Sequence, residues 1–183
     1  MDPQDLDAAL EAAREADESA ITCLFRAFQP QLLRYLRQRA PGVAEDLASE
    51  TWLAAARGLL GFKGDASDFR AWLFTVARRR VVDYYRSEAR RLPTVELEGN
   101  DPVAAGSLSD AVIDALSSEA ALAKLVADLT PDQAEVVLLR VVADLSVDQV
   151  AAIMNRSPGS VRVLQHRALR QLARVWSLDD VTK

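Results

Sequence analysis

Apolar residues recur every three or four positions along most of this chain, which is the period of an amphipathic α-helix. Glycine and proline are scarce and fall mainly between the periodic stretches, where they suit helix boundaries. The pattern predicts helices over 4–16, 19–39, 43–60, 68–90, 110–128, 131–143, 146–154 and 159–176. We therefore expect an all-α protein.

One stretch, LPTVELEGNDPVAAGSLS at 92–109, breaks this pattern. It carries glycine, proline and acidic residues and has no apolar period, which is typical of a linker. A chain of 183 residues has room for two small domains. We predict two small helical domains, 1–91 and 110–183, joined by a flexible acidic linker.

Helix-start signals are concentrated in the second predicted domain. Thr130 and Ser146 are each followed three residues later by Gln, which is the capping-box pattern, and Ser157 begins a third start. These caps favour a helix for VVLLRVV at 136–142, which on apolar content alone also fits a buried strand. A short helix, a tight turn at 155–157 and a longer helix then form a helix-turn-helix.

The net charge and the distribution of charge along the chain point to different partners. The formal value of −5 by itself argues against nucleic acid as a partner. The blocks differ, however, with −6 over 1–20, +5 over 70–91, −8 over 92–135 and +5 over 155–176. Two separate cationic helices are typical of a protein that binds a polyanion at two places, although two solvated helix faces explain the charges equally well.

The last predicted helix has an apolar face and a basic face. With Val161 at zero and about 100° per residue, the apolar stripe continues through Leu164, Ala168, Leu172 and Val175. The other side carries Arg162, His166, Arg170 and Arg174, with Arg167 beside them. Such a face suits the DNA major groove, where arginine pairs with guanine edges or holds phosphates. Val163 is also expected on the exposed face, either against a thymine methyl or as a lone surface valine.

The other basic block follows a short polar loop at 62–67. Phe69 and Trp72 fit the apolar stripe of this helix and are expected in the core. Its exposed arginines are expected to be Arg78, Arg79, Arg86, Arg90 and Arg91. Arginines beside aromatic residues and a glycine-containing loop are typical of a single-strand site, where bases unstack and are held.

Local side-chain pairs in the same region have structural interpretations. Arg80 projects onto the apolar side of the helix near Asp83, and we expect these two residues to form an ion pair. Asp65 and Asp68 are interpreted as helix caps rather than as metal ligands.

Composition argues against several classes of catalytic protein. Cys23 is the only cysteine and His166 the only histidine. The chain therefore has too few of these residues for a disulfide framework or a zinc finger, and only one candidate histidine for a Ser-His-Asp triad. An enzyme acting on nucleic acid would need clustered carboxylates or a glycine-rich phosphate loop, and neither pattern occurs. We expect no enzyme activity, catalytic residue, metal site or cofactor. The acidic N-terminus and the short apolar runs also predict a cytoplasmic protein with no membrane insertion.

Three runs of sequence, in order, resemble a known family: AEDLASETWLAAARGL at 44–59, the run FKGDASDFRAWLFTVARRRVVDYYR at 62–86, and the long run from Leu129 to Leu172. The chain resembles bacterial RNA polymerase sigma factors of the sigma-70 class, in the extracytoplasmic-function (ECF) group. This resemblance implies that domain 1–91 binds core polymerase and melts the promoter −10 element, and that domain 110–183 reads the −35 element.

The resemblance also implies a role for individual positions. The polymerase-binding residues would be Asp46, Leu47, Glu50, Thr51 and Trp52. The −10 contacts would be Lys63, Gly64, Asp65, Ala66, Ser67, Arg78, Arg79, Asp83 and Arg86. The −35 contacts would be Arg156, Ser157, Ser160, Arg162, His166 and Arg167, to which the helical projection adds Val163 and Arg170. The chain departs from the family's usual residues at Ser49, Arg79 and Leu164, where Gln, Asn and a basic residue are common.

The partners implied by the resemblance are core RNA polymerase, through its beta-prime clamp and beta flap, together with promoter DNA and an anti-sigma factor. The alternative is a stand-alone helix-turn-helix regulator, in which 1–91 would be a ligand-binding or dimerisation domain. Such a regulator would bind promoter DNA without core polymerase.

Overall fold

The computed structural model describes residues 2–91 and 119–179. The chain divides into two compact units, Met1–Glu96 and Leu97–Lys183, hereafter the first and the second domain. Every regular element in the described residues is helical, which confirms the all-α prediction. None of their helices is both long enough and apolar enough to cross a membrane. The predicted linker at 92–109 and the predicted helical residues 110–118 lie outside the described residues.

The described residues of the first domain, 2–91, form four α-helices. They are α1 (Pro3–Arg14), α2 (Glu18–Arg39), α3 (Ala44–Leu59), which a short 3-10 turn at Pro41–Val43 precedes, and α4 (Ala66–Arg91). Aspartates set two of the starts: Asp2 forms a capping box with Asp5, and the Asp17 carboxylate accepts a hydrogen bond from the Ala20 amide at 2.9 Å.

The core of this domain is formed by one face from each of its four helices. Leu10 of α1, Leu24 and Phe28 of α2, and Phe69 and Leu73 of α4 are almost fully buried within it. Burial of each such side chain contributes about 1.5–3 kcal/mol relative to exposure. The amphipathic α1 is therefore an integral part of the first domain.

The second domain contains α5 (Glu119–Ala127), α6 (Pro131–Val137), α7 (Val147–Met154) and α8 (Pro158–Asp179). The capping boxes predicted at Thr130 and Ser146 are both present, because each hydroxyl accepts from the Gln three residues later and that Gln side chain accepts from the cap backbone. The segment VVLLRVV is helical, as the caps indicated. Its Leu138–Val142 portion has π-helical hydrogen bonding.

The turn between α7 and α8 has the geometry of a helix-turn-helix. Asn155 ends α7 in the left-handed conformation (φ 53°), which Asn tolerates better than most residues, and its amide bonds back to the last turn of the helix. The Ser157 hydroxyl then accepts from the Ser160 amide at 3.2 Å and caps α8. The predicted arrangement is confirmed.

Candidate nucleic-acid interface

The loop before α4 is fixed by reciprocal caps. The Asp65 carboxylate accepts from the Asp68 amide at 2.8 Å, and the Asp68 carboxylate accepts from the Asp65 amide at 3.3 Å. Gly64 has φ +137°, and a Cβ there would lie 2.7 Å from the Asp68 side chain. The interpretation of both aspartates as caps is confirmed, and the position requires glycine.

The predicted −10 residues of this loop differ in exposure. Lys63, Gly64, Asp65 and Ser67 are exposed, whereas Ala66 is buried. The Ala66 amide donates to the Asp7 carboxylate at 2.7 Å. Ala66 therefore anchors the loop to α1, and its assignment as a nucleic-acid contact is corrected.

Helix α4 presents a basic face, which begins about 20 Å along the helix from the loop. Arg79, Arg86 and Arg90 are exposed, whereas Arg78 is half-buried. The expected pair between Arg80 and Asp83 is wrong. Arg80 Nε instead lies 3.7 Å from Glu50 Oε2, because α3 packs against α4, and Asp83 Oδ1 lies 3.9 Å from Arg86 Nη1. The face consequently keeps a local carboxylate beside one of its arginines.

Aromatic residues occur at the start of α4 and further along it. Phe62, Phe69 and Trp72 contact one another with ring centroids 5.3–5.7 Å apart. Phe69 is buried, as expected, and Trp72 is half-buried. Further along α4, the exposed Tyr85 donates to the Arg39 carbonyl at 2.8 Å. Tyr85 was not among the residues predicted from the sequence, although its place as an aromatic residue within a basic block was an available signal.

The predicted polymerase-binding residues divide between two sides of α3. Asp46 and Glu50 are exposed, whereas Leu47 and Thr51 are buried, and the Thr51 hydroxyl donates to the Leu47 carbonyl at 2.7 Å. Leu47 and Thr51 stabilise the domain from inside, so their assignment as contact residues is corrected. Trp52 is half-buried and its Nε1 donates to Gln29 Oε1 at 2.6 Å.

Leu53, which the sequence argument did not select, is 57% exposed on α3. It lies seven residues after Asp46 and three after Glu50, so helical spacing places all three on one face. Ser49 is exposed on the same face. The signal for this position was a leucine that a helical projection of α3 places between polar residues, which a search for continuous apolar runs does not detect.

The recognition helix α8 matches the prediction only in part. Arg162, Arg170 and Arg174 are exposed, whereas Ser160, Val163 and Arg167 are half-buried, as is Leu164, which was expected in the buried stripe. The Val175 side chain is not among those that the structure describes.

The placement of His166 on the exposed basic face is wrong. Its side chain is only 4% exposed, because α8 packs against both α6 and α7 and buries more than one stripe. Desolvation lowers the pKa of His166, and the charge of Arg170 lowers it further. His166 is therefore a neutral core residue in this structure and not a base contact.

Arg156 lies on the surface at the helix-turn-helix turn and forms an ion pair with Asp132 in the first turn of α6. Ser157, beside it, is exposed, and its hydroxyl oxygen serves as the α8 cap. Among the predicted contacts of the second domain, the exposed cationic groups are thus Arg156, Arg162 and Arg170. No group of three or more potential metal-ligating side chains occurs in the part of the chain that the structure describes.

Comparison with known proteins assigns both domains. The sigma-70 region 2 model matches residues 24–91, and the sigma-70 region 4 model matches residues 119–172. The ECF RNA polymerase sigma factor ShbA of Streptomyces griseus is 35% identical over 173 residues, covering 87% of this chain and 89% of ShbA. The ECF sigma factor BldN of Streptomyces coelicolor is 37% identical over 171 residues, and this chain spans 64% of its length.

Two solved structures share the fold at 22% sequence identity. CnrH, in complex with the cytosolic domain of CnrY, superposes with a TM-score of 0.65 over 95% of this chain and 99% of that one. The sigma factor RpoE of Bartonella quintana, in complex with the anti-sigma factor NepR, superposes with a TM-score of 0.62 over 85% of this chain and 95% of that one. The region 2 and region 4 matches, together with ShbA and BldN, show that the chain belongs to the sigma-70 family, within the ECF group of RNA polymerase sigma factors that direct transcription initiation.

Proposed function

We propose that this protein binds core RNA polymerase and directs it to promoters through two DNA contacts, one in each domain. The observation that carries the proposal is the pair of exposed arginine faces, on α4 and on α8, within the segments that match regions 2 and 4. Each face alone makes few phosphate contacts and binds weakly at physiological salt. Joining both domains and docking them on polymerase raises the effective concentration of each at its own element.

The −10 element is read as an opened strand by the loop at 63–67 and by α4. Arg79 and Arg86 provide exposed cations for the backbone phosphates of that strand. Lys63 and Asp65 present exposed polar side chains at the loop, where an unstacked base would be held. The exposed ring of Tyr85 adds a stacking surface on the same helix.

The −35 element is read as duplex DNA by α8. The exposed Arg162 and Arg170 suit guanine edges or phosphates in the major groove, and Arg156 suits a phosphate at the edge of the groove. His166 contributes by packing α8 against its neighbours rather than by contacting a base.

Polymerase binds the first domain through the exposed face of α3. Asp46, Glu50 and Leu53 would contact the beta-prime clamp, with Leu53 as the apolar anchor at the centre of a polar rim. The second domain would contact the beta flap, as expected from the family. The protein then acts as a specificity subunit in the cytoplasm, and the catalytic groups belong to the polymerase.

An anti-sigma protein is a further proposed partner. CnrH was solved with the cytosolic domain of CnrY, and RpoE with the anti-sigma factor NepR. A chain of the same fold and the same family offers similar surfaces to such an inhibitor.

A stand-alone regulator is not favoured, because residues 24–91 match sigma-70 region 2. The test compares binding to promoter-bearing genomic fragments by this protein alone, by core polymerase alone and by both together. We expect specific retention only with both, a loss on Arg79→Ala, and no loss on Arg26→Ala, which removes an exposed arginine of α2. Equally tight and specific binding by the protein without core polymerase would contradict the proposal.

A further inference from the structure

Helix α1 contacts the loop before α4 at two backbone positions. The Arg14 guanidinium donates through Nη2 to the Gly64 carbonyl at 2.6 Å, and the Asp7 carboxylate accepts from the Ala66 amide at 2.7 Å. These contacts join residues 50 and 59 positions apart in the chain. The acidic N-terminal segment therefore has a structural partner within the proposed −10 site.

The backbone of α1 and the Arg14 side chain are themselves held in place. Leu10 is buried in the core of the first domain, so the backbone of α1 is anchored there. Arg14 Nη1 donates to the Glu11 carboxylate at 2.5 Å, and the Arg14 guanidinium lies 5.9 Å from the centre of the Phe62 ring. Asp7 also places a negative charge at the first turn of α4, where the helix dipole favours it.

The arrangement fixes the loop backbone and leaves the Lys63 side chain available. The Gly64 carbonyl and the Ala66 amide are both occupied by α1, whereas the side chains of Lys63 and Asp65 remain exposed. A loop of this kind that moved freely would lose conformational entropy on receiving an unstacked base. A loop already held in one conformation avoids most of that loss, and binding is correspondingly tighter.

We propose that α1 is a positioning element for promoter opening, with Asp7 and Arg14 holding the loop at 63–66 ready to receive an unpaired base. The inference rests on the proposed function of that loop. Neither residue contacts the base, since both act through the loop backbone.

The test uses holoenzyme reconstituted from the full-length chain and core polymerase, on a promoter that the wild-type holoenzyme opens. Asp7→Ala removes the acceptor for the Ala66 amide, whereas Asp7→Asn retains an oxygen that accepts the same bond. Arg14→Met removes the donor to Gly64 and keeps an apolar stem against Phe62. Glu15→Ala is the matched control, because it removes an exposed carboxylate from the end of α1.

Two quantities are measured: the affinity of holoenzyme for a single-stranded −10 oligonucleotide, and the affinity of each variant for core polymerase. We expect Asp7→Ala and Arg14→Met to weaken oligonucleotide binding by about threefold to tenfold. Asp7→Asn and Glu15→Ala should match wild type, and binding to core polymerase should be unchanged in all four. Amide exchange at Ala66 should be faster in Asp7→Ala than in Asp7→Asn.

The results separate this inference from the function on which it rests. A wild-type holoenzyme that neither binds the oligonucleotide nor opens any promoter overturns the proposed function and the inference with it. A functional wild type with Asp7→Ala and Arg14→Met as active as Glu15→Ala overturns the inference alone. A parallel loss of core binding also overturns it, since the effect would then be a general loss of fold. If Asp7→Ala does not fold, Arg14→Met at the other contact decides the question.

Discussion

Arg156 forms an ion pair with Asp132, so that the turn of the helix-turn-helix is joined to the start of α6. The two side chains are 40% and 49% exposed, and such a pair contributes about 0.2–1 kcal/mol. A cation that is already paired with a carboxylate of its own domain has to give up that partner before it can pair with a DNA phosphate. In the proposed −35 contact, Asp132 would therefore compete with DNA for Arg156.

Replacement of Asp132 should tighten DNA binding through Arg156. We expect Asp132→Ala to raise the affinity for −35 duplex DNA about twofold to fivefold, which corresponds to the modest energy of an exposed pair. The same substitution in an Arg156→Ala background should have a much smaller effect, and a double-mutant cycle in holoenzyme measures the difference. Asp148→Ala is the control, because it removes an exposed carboxylate from the first turn of α7. Equal gains from both replacements, with or without Arg156, would show that only net charge matters.

The buried His166 should make stability depend on pH. Because burial lowers its pKa in the folded domain, the unfolded chain binds the proton at higher pH than the folded chain does. The contribution of neutral His166 is thus fully present above about pH 6.5 and is lost as the pH falls below that value. Urea unfolding of wild type and His166→Leu at about pH 7.5 and about pH 5.5 measures this effect. Wild type should lose more stability than the variant on acidification, whereas equal losses would place His166 on the surface.

Gly64→Ala should destabilise the loop that precedes α4. A Cβ at φ +137° would be strained and would meet the Asp68 carboxylate, at a cost of about 1–3 kcal/mol. The melting temperature should fall, and promoter opening should be weaker. Gly42→Ala is the matched control, since nothing lies within 4 Å of a Cβ there. A Gly64→Ala protein as stable as Gly42→Ala would contradict the loop geometry.

Two leucines of α3 should behave in opposite ways. Leu53→Ala should lower the affinity for core polymerase about tenfold with little change in melting temperature, because this side chain is exposed. Leu47→Ala should cost about 2–5 kcal/mol of stability, because this side chain is buried. Titration of core polymerase with labelled protein, together with thermal melting, separates the two effects. A stable Leu53→Ala variant with wild-type affinity would remove the exposed face of α3 from the interface.

The features that the sequence predicted well depend on neighbours within a few residues. The capping boxes at Thr130 and Ser146, and the caps at Asp65 and Asp68, follow from side chains three positions apart. Helical period then assigns the class of fold, because each stretch between caps has one dominant apolar face.

The features that the sequence did not predict depend on packing between helices. A projection with one apolar stripe leaves His166 outside the buried arc, whereas the structure buries it on a helix that packs against two others. Arg80 pairs with Glu50 of α3 rather than with a residue of its own helix. The contact between Arg14 and Gly64 spans 50 positions, and no local pattern in the sequence marks it.

Transcription from a cognate promoter by core polymerase, with and without this protein, tests the central claim most directly. The template is a genomic fragment retained by the combined proteins, and the 5′ ends of the transcripts are mapped. We predict a single start site that requires this protein and that is lost when either the −10 or the −35 element is replaced. A start site that core polymerase uses equally well without the protein, or the absence of any protein-dependent start on every retained fragment, would contradict the account.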